Sequence, residues 1–222
     1  MKRAQRRVLA VDVCGTLYDA NTTAEFCLYH HRQADNKKRY LLLRAISRRG
    51  SVAWVALAGL DRILRIDLHR WLTIRSLRGE SRGALERSVV RYVDTLAERA
   101  VRPVDELLIH LRQKNPETVL ISNGLDIVIG EIAGRRGLPW LASKLAFRRG
   151  RCQGRLEVDL MGRKREALER WLGCRLDGVG LEVVTDNRSD ADIIAVAARA
   201  HIVHKGPIKP WMRAFDAQFI GH

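Results

Sequence analysis

Long apolar stretches are missing from this sequence. The longest unbroken one, Val52 to Leu60, is far shorter than the roughly 20 residues that a membrane-spanning helix requires. The basic start of the chain precedes an apolar run that stops at Asp12, which is too short for the apolar segment of an export signal. We therefore expect a cytoplasmic protein that is not integral to a membrane.

Cysteine is sparse and widely spaced. The cysteines are Cys14, Cys27, Cys152 and Cys174. No two of them form a C-x-x-C pair, which argues against both a zinc knuckle and a disulfide framework. Reduced thiols agree with the cytoplasmic location that the missing export signal predicts.

Aromatic and acidic residues are also few. Aromatic side chains make up 6% of the chain, and no base-stacking or groove-reading module is recognisable, so nucleic acid is a poor candidate partner. Lys and Arg number 40 against 25 Asp and Glu, which gives a formal net charge of +15. Such a charge attracts phosphates, anionic lipids and nucleic acid alike, and it is equally compatible with a basic surface that only maintains solubility.

What the sequence does contain is an alternation of short apolar strands with helical segments. Strands are predicted over residues 8–11, 118–121, 181–184 and 201–203, a hairpin over 144–156, and a helix over 162–172. A further helix is predicted to end at Arg136, before Gly137. Ser189 and Asp192 have the spacing of a capping box, which predicts another helix start.

Residues 22–112 show helical periodicity without strands, interrupted at Gly50-Ser51 and Gly79-Glu80-Ser81. We predict an α/β fold with a doubly wound parallel sheet and an inserted α-helical cap. The predicted core comprises residues 1–21 and 113–222, and the predicted cap comprises residues 22–112.

Polar side chains follow the three strongest predicted strands. Asp12, Ser122 and Asp186 stand at strand ends, which meet at one crevice in a parallel sheet. Asp12 offers a carboxylate nucleophile for phosphorus, unless it is only a turn residue. Asp12 and Asp186 can supply the oxygen ligands that Mg²⁺ prefers. Lys164 can offset the charge of a transferring phosphoryl group, unless it belongs with its two arginine neighbours to a solvated basic face.

The residues beside these positions complete the predicted phosphate site. The Ser122 hydroxyl and the backbone amides of Asn123 and Gly124 can hold phosphoryl oxygens; alternatively, this segment only caps the next helix. Gly15 and Thr16 are predicted to shape the turn after Asp12, because small residues let a phosphate approach the backbone.

Four segments, in order and at matching spacing, resemble the motifs of the haloacid dehalogenase superfamily. They are Asp12-Val-Cys-Gly-Thr-Leu-Tyr, Ile-Ser122-Asn-Gly, Gly162-Arg-Lys164-Arg-Glu-Ala-Leu and Thr-Asp186-Asn-Arg-Ser-Asp190. The helical insertion lies between the first two motifs, a position that resembles that of the cap in the phosphoserine-phosphatase-like branch. The resemblance implies a Rossmann-like core, Mg²⁺, an aspartyl-phosphate at Asp12, and a metal ligand from the backbone carbonyl of Cys14. It also implies that Asp190 orients metal-bound water, although an aspartate at a helix N-terminus is equally common as a structural feature.

Cys14 departs from the pattern. The phosphatases of this superfamily carry an aspartate there, which acts as general acid and base. A thiol has an ordinary pKa of about 8.5 and is a poor substitute. Losing such catalysis costs roughly 100-fold to 10,000-fold in rate. His30, His31 and Glu25, all within the predicted cap, are the candidates to supply a proton instead.

These features predict a magnesium-dependent phosphatase or phosphotransferase that acts on a small phosphorylated or lipid-linked metabolite. Cys14 leaves two alternatives open: a phosphate-binding or regulatory protein with weakened catalysis, and a hydrolase of another bond type. The second would be a dehalogenase or a phosphonate-cleaving enzyme. Dehalogenation needs no metal, so the carboxylates of Asp186 and Asp190 disfavour it.

The predicted cap carries basic residues beside the apolar segment 52–60. They are Lys37, Lys38, Arg39, Arg44, Arg48 and Arg49, with Trp54 nearby. The preferred interpretation is a buried cap helix with solvated arginines. The alternative is peripheral contact with an anionic membrane, which would make a phospholipid or lipid-linked sugar phosphate a sensible substrate.

Overall fold

The computed structural model describes residues 6–48, 50–64, 67–114 and 117–222. Seven strands form one sheet in the order β4-β3-β2-β1-β5-β6-β7. The strands are β1 (Arg7–Val11), β2 (Glu117–Leu125), β3 (Trp140–Arg148), β4 (Arg151–Val158), β5 (Gly180–Thr185), β6 (Arg199–His204) and β7 (Gln218–Gly221). Neighbouring strands are parallel except β3 and β4, which form an antiparallel hairpin. The predicted α/β class is confirmed.

In the described residues between β1 and β2, five α-helices precede a sixth that returns to the sheet. They are α1 (Thr22–Gln33), α2 (Lys37–Ser47), α3 (Val52–Leu64), α4 (Leu68–Arg75), α5 (Arg82–Asp94) and α6 (Arg102–Lys114). Side chains of Asn21, Asn36, Asp67 and Ser81 accept backbone N–H bonds at the starts of α1, α2, α4 and α5. Helix α6 contacts β1 and β7, so it packs on the sheet. The exact division into a cap at 22–112 stays a prediction.

The remaining described α-helices are α7 (Asp126–Arg136), α8 (Lys164–Leu172) and α9 (Ala191–Ile194). They cover the sheet together with α6. Val8 and Ala10 of β1 pack in one apolar cluster with α8 and α9, whereas Leu9 and Val11 pack in another with α6, α7 and the helices of residues 22–96. Because both faces of β1 are covered, all of its residues from Val8 to Val11 have 0% exposure.

Three local predictions need correction. The polar segment after residue 121 is not a loop: β2 continues to Leu125 with a shift of register between Ser122 and Leu125. The predicted capping box is wrong, because Ser189 donates to the Asp190 carboxylate and Asp192 accepts the backbone N–H of Arg165. The strand β7, which contains only four residues, was not predicted at all.

Helix α3 is also not the buried helix that the sequence favoured. Between residues 52 and 63, where its side chains are described, none is buried. Ala53 and Leu57 pack against the core cluster, while Val52 is 88% exposed and Ile63 is 77% exposed. In the part of the chain that the structure describes, no helix is both long and apolar enough to cross a bilayer.

Candidate active site

A buried ion triad lies at the carboxyl end of β1. Asp12 follows β1 and is 3% exposed, and Lys164 opens α8 with 0% exposure. The Lys164 Nζ donates to Asp12 Oδ1 at 2.7 Å and to Asp190 Oδ2 at 2.7 Å. Burial lowers the pKa of Lys164, but the charges of Asp12 and Asp190 outweigh it and raise that pKa overall. Lys164 is therefore a fixed cation and not part of a solvated basic face.

Asp190 holds Lys164 in place. Its Oδ2 also accepts a bond from the Thr185 hydroxyl at 2.6 Å, and its Oδ1 accepts one from the Ser189 hydroxyl at 3.2 Å. Both carboxylate oxygens are thus occupied by protein donors, and the side chain is 0% exposed. The structure gives Asp190 a positioning role toward Lys164; its role in orienting metal-bound water stays a prediction.

Asp12 and Asp186 face each other through one hydroxyl group. Thr16 Oγ1 lies 3.2 Å from Asp12 Oδ2 and 3.1 Å from Asp186 Oδ1, and it accepts the Asp186 backbone N–H at 3.0 Å. A single hydroxyl hydrogen can serve only one carboxylate at a time. Burial, followed by the charge of Asp12, raises the pKa of Asp186 to about 7. Lys164 is shared between Asp12 and Asp190 and does not offset the full negative charge of the pair, so a hard cation such as Mg²⁺ fits its oxygen donors.

Gly15 makes room for this carboxylate pair. Its φ of 76° lies in the left-handed region, which glycine adopts without strain. A Cβ at this position would lie 2.1 Å from Asp186 Oδ2. Any larger residue would thus displace the carboxylate that the proposed metal requires.

The thiol of Cys14 faces two hydroxyl groups and not a carboxylate. Its Sγ lies 2.8 Å from Thr22 Oγ1 and 3.5 Å from Ser122 Oγ. Burial, followed by the negative charge of Asp12, raises the pKa of the thiol. Cys14 is therefore protonated at neutral pH. The position of its backbone carbonyl as a metal ligand stays a prediction.

The carboxyl-terminal end of β2 meets the site, but its groups are partly occupied. The Ser122 hydroxyl, which is fully buried, accepts the Gly124 backbone N–H at 3.2 Å. The amide of Gly124 is thus bonded within the segment and does not point freely into the crevice as we expected. Asn123 donates through its side chain to Ser189 at 2.9 Å, which ties β2 to the Asp190 loop.

A cleft of about 500 Å³ opens over these residues. Cys14, Gly15, Asn123, Gly124 and Asp186 line its floor, and side chains of α1 and α4 line its walls. Two long-range arginines shape it: Arg99 pairs with Glu25, and Arg70 reaches from α4 to the core. Sequence reasoning missed both arginines.

Arg70 joins α4 to the strand-end segments. Its guanidinium donates to the Asp159 carboxylate at 2.6 and 3.0 Å, to the Asn123 carbonyl at 2.9 Å and to Ser143 Oγ at 3.3 Å. These partners lie 53 to 89 residues away in the chain, so no local pattern could reveal them. The bonds make Arg70 a neutralised link between α4 and the core.

The comparisons with known proteins agree with this geometry. The family model of haloacid dehalogenase-like hydrolases matches residues 9–194. The chain belongs to this hydrolase family. A comparison with curated protein sequences finds no match.

Solved structures share the fold of this hydrolase over nearly its whole length. A protein with unknown function from Bordetella pertussis Tohama I is 18% identical, with 98% of this chain and 99% of that chain covered and a TM-score of 0.69. A phospho-aspartyl intermediate analogue of phosphoserine phosphatase is 16% identical, with 97% and 94% covered and a TM-score of 0.61. The cytosolic 5'-nucleotidase IIIB bound to cytidine is 13% identical, with 96% and 80% covered and a TM-score of 0.61. At these identities the likeness establishes the fold.

Two of the three predicted proton donors lie away from the cleft of this hydrolase. His30 and His31 are 1% and 0% exposed, and they bond Ser88 and Ser76 inside the helical region. Neither residue lines the cleft, so the prediction that they serve the reacting group is wrong. Glu25 does line the cleft.

Proposed function

We propose that the chain hydrolyses phosphate monoesters through an aspartyl-phosphate on Asp12. The observation that carries this proposal is the buried Lys164, whose Nζ holds Asp12 Oδ1 at 2.7 Å. A cation fixed there orients the carboxylate and offsets the negative charge of an arriving phosphoryl group. The phospho-aspartyl analogue of the neighbouring phosphoserine phosphatase supports the same route.

In the first step, a carboxylate oxygen of Asp12 bonds to phosphorus, and the bond between phosphorus and the leaving oxygen breaks; p-nitrophenolate leaves as the anion, whereas an alkyl leaving group takes a proton from water in the cleft. Lys164 remains protonated throughout, since its pKa is raised. The Ser122 hydroxyl can donate to a phosphoryl oxygen, because it accepts the Gly124 amide and keeps its own hydrogen. Asp12 and Asp186 would hold Mg²⁺, which supplies charge stabilisation to phosphoryl oxygens when bound.

In the second step, water attacks the phosphorus of the aspartyl-phosphate, the Asp12–phosphate bond breaks, and a base takes the proton of the water. Cys14 is a protonated thiol and cannot accept that proton. Glu25 lines the cleft, but it is paired with Arg99. We therefore propose that hydrolysis of the intermediate is slower than its formation.

A second candidate function rests on the same thiol. If the aspartyl-phosphate does not turn over, the chain acts as a phosphate-binding or regulatory protein with the same pocket. Carbon–halogen cleavage is less well supported, because it needs no metal and so does not require the closely placed carboxylates of Asp12 and Asp186, where burial and the charge of Asp12 raise the pKa of Asp186.

The hydrolysis of p-nitrophenyl phosphate tests the first function. The protein with Mg²⁺ should release p-nitrophenol, and Asp12→Asn should release none. Asp216→Asn, an exposed aspartate outside the cleft, is the matched control and should behave as the wild type. No release by the wild type, combined with magnesium-dependent phosphate binding in calorimetry, would instead favour the binding protein.

We also propose that the exposed side chains of α2 and α3 contact the surface of anionic membranes. Leu41 and Leu42 of α2 are 59% and 58% exposed, and α3 exposes Val52 and Ile63 still more. Basic side chains stand nearby on α2 and its end, and the exposed ones are Lys37, Lys38, Arg44 and Arg48. Apolar side chains beside basic ones are the composition of a helix that lies in a membrane interface.

A further inference from the structure

A second concavity, which we call the α4 groove, adjoins the cleft. Its volume is about 590 Å³, and it lies between α4 and the segment formed by β4 and the loop after it. Its apolar lining residues are Leu68, Trp71, Ile74, Leu156 and Met161. The groove is as large as the phosphate cleft but has a different chemical character.

The apolar lining follows from the register of α4. Leu68, Trp71 and Ile74 are spaced by three residues and so share one side of the helix. Ile74 is 4% exposed and forms the floor, while Trp71 is 54% exposed and forms an open wall. Met161, on the core side, is 40% exposed. Apolar side chains of this size, grouped around a concavity and left open, are typical of a ligand surface.

Gly154 permits the close approach of β4 that forms the groove. Its φ of 65° is left-handed, and a Cβ there would lie 2.8 Å from the Arg78 Cβ and 2.9 Å from the Arg75 carbonyl oxygen. A residue with a side chain would push β4 away from the end of α4. The shape of the groove is thus built into the backbone.

The α4 groove is continuous with the phosphate cleft. Asp67, Arg70 and Met161 line both concavities. The Arg70 guanidinium at the junction is neutralised by Asp159 and also donates to the Asn123 carbonyl and Ser143 Oγ, so it is not a free receptor for a second anion. Of the other charged residues of the groove, Asp159 is paired with Arg70, and Asp67 and Arg155 are exposed. A ligand that passes the junction therefore meets apolar side chains and not an unpaired buried charge.

From this continuity we infer that the substrate is an amphiphilic phosphate monoester. Its phosphate lies over Asp12, and its hydrocarbon part passes Arg70 and lies in the α4 groove. The inference rests on the proposed function. Each methylene that leaves water for an apolar surface contributes about 0.8 kcal/mol, a factor of about four in affinity when it is fully buried. In this open groove, we expect a gain of about twofold to fourfold per methylene.

Binding of n-alkylphosphonates tests the inference independently of turnover, because their carbon–phosphorus bond resists phosphatase chemistry. Titration calorimetry with Mg²⁺ should show a Kd that falls by about twofold to fourfold per methylene from ethyl to octyl. Trp71→Gln should reduce the ratio of the ethyl to the octyl Kd by about tenfold or more. Trp171→Gln is the matched control: Trp171 is 37% exposed, lies at the far end of α8 and lines a different concavity. The ratio of the ethyl to the octyl Kd in Trp171→Gln should equal that of the wild type.

Alkyl phosphates of the same chain lengths are hydrolysable substrates. Comparing their hydrolysis with the binding of the phosphonates separates a failure of the groove inference from a failure of the proposed reaction. A chain-length gradient in binding without hydrolysis would support the groove and contradict the proposed reaction. Hydrolysis of the esters with equal Kd values for ethyl- and octylphosphonate would contradict the groove and support the reaction. The loss of the gradient in Trp171→Gln but not in Trp71→Gln would also overturn the groove.

An additional arm uses phosphatidylcholine vesicles that contain phosphatidate: phosphate release from them assigns the amphiphile to a membrane, whereas activity on dispersed alkyl phosphates alone assigns it to solution.

Discussion

The thiol of Cys14 lies where an acid–base group is needed, between the hydroxyls of Thr22 and Ser122. Phosphoryl transfer to Asp12 from a good leaving group, such as p-nitrophenolate, does not use this thiol, so the first step should survive. The second step lacks a base. With p-nitrophenyl phosphate, we expect stopped-flow traces to show a burst of about one p-nitrophenol per protein and then slow turnover.

Replacing the thiol by a carboxylate should relieve the slow step. We expect Cys14→Asp to raise the steady-state rate by roughly 10-fold to 1,000-fold, within the range of general acid–base catalysis. Cys174→Asp, at an exposed cysteine outside the cleft, is the matched control and should leave the rate unchanged. A wild type with fast linear turnover and no burst would contradict this account of Cys14.

Asp186 is predicted to be required for the binding of Mg²⁺. Because Asp12 and Asp186 repel each other without a cation, magnesium should bind where both carboxylates are present. Asp186→Asn should lower the affinity for Mg²⁺ in calorimetry by about tenfold or more, whereas the exposed Asp177→Asn should not change it. Equal affinity in the wild type and Asp186→Asn would place the metal elsewhere.

At the scale of elements, α1 is held to its neighbours by two buried histidines. His31 Nε2 lies 3.0 Å from the Ser76 hydroxyl, which itself donates to the Thr73 carbonyl at 2.6 Å. The hydroxyl hydrogen is therefore used, and His31 must donate to Ser76 as a neutral ring. Burial, followed by the charge of His30, lowers the pKa of His31 to about 4.

This depressed pKa predicts a loss of stability in acid. Unfolded histidine titrates near pH 6.5, so between about pH 6.5 and 4 the unfolded state binds more protons than the folded state. The free energy of unfolding should then fall as pH drops, by about 2 kcal/mol between pH 7 and 5 from this residue alone. Urea titrations should show a shallower fall for His31→Gln, which retains a donor toward Ser76. The exposed His110→Gln should keep the wild-type slope, and an unchanged slope in His31→Gln would contradict the assignment.

The elements that could be predicted from the sequence are those with local signals. Apolar β-branched segments located β1, β2 and β5. Their polar ends lie close together, because Thr16 bonds both Asp12 and Asp186 and Ser122 lies 3.5 Å from the Cys14 thiol. Side-chain caps such as Ser81 likewise marked a helix start. These signals suffice because a strand or a cap depends on residues within a few positions of itself.

The features that could not be predicted depend on contacts between distant segments. The Gly124 amide was expected to face the crevice, but the bulge in β2 turns it to Ser122. His30 and His31 carry no local signal that distinguishes a buried helix contact from a proton donor. Arg70 meets the core only after α4 has folded over β4, and the α4 groove arises from that same contact.

At the scale of the whole molecule, the distribution of positive charge and exposed apolar side chains predicts that the protein binds anionic membranes. The chain carries a formal net charge of +15, and α2 and α3 expose aliphatic side chains beside basic ones. Each Lys or Arg near the surface of an anionic bilayer contributes about 1 kcal/mol to the free energy of binding, and each aliphatic side chain that enters the interface contributes more. Screening should weaken the electrostatic part as salt is raised.

Sedimentation with vesicles measures this association directly. The protein should bind vesicles that contain about one third phosphatidylserine, should bind pure phosphatidylcholine weakly, and should lose most of its binding when NaCl rises from about 0.1 to 0.5 M. The double variant Val52→Ser with Ile63→Ser should bind about tenfold to 100-fold more weakly, because two exposed aliphatic anchors are lost. Ile109→Ser removes an aliphatic side chain that is 68% exposed on α6, outside α2 and α3, and should have no effect. Equal binding by the double variant and the wild type would show that charge alone attracts the protein, and that the apolar face of α3 does not enter the membrane.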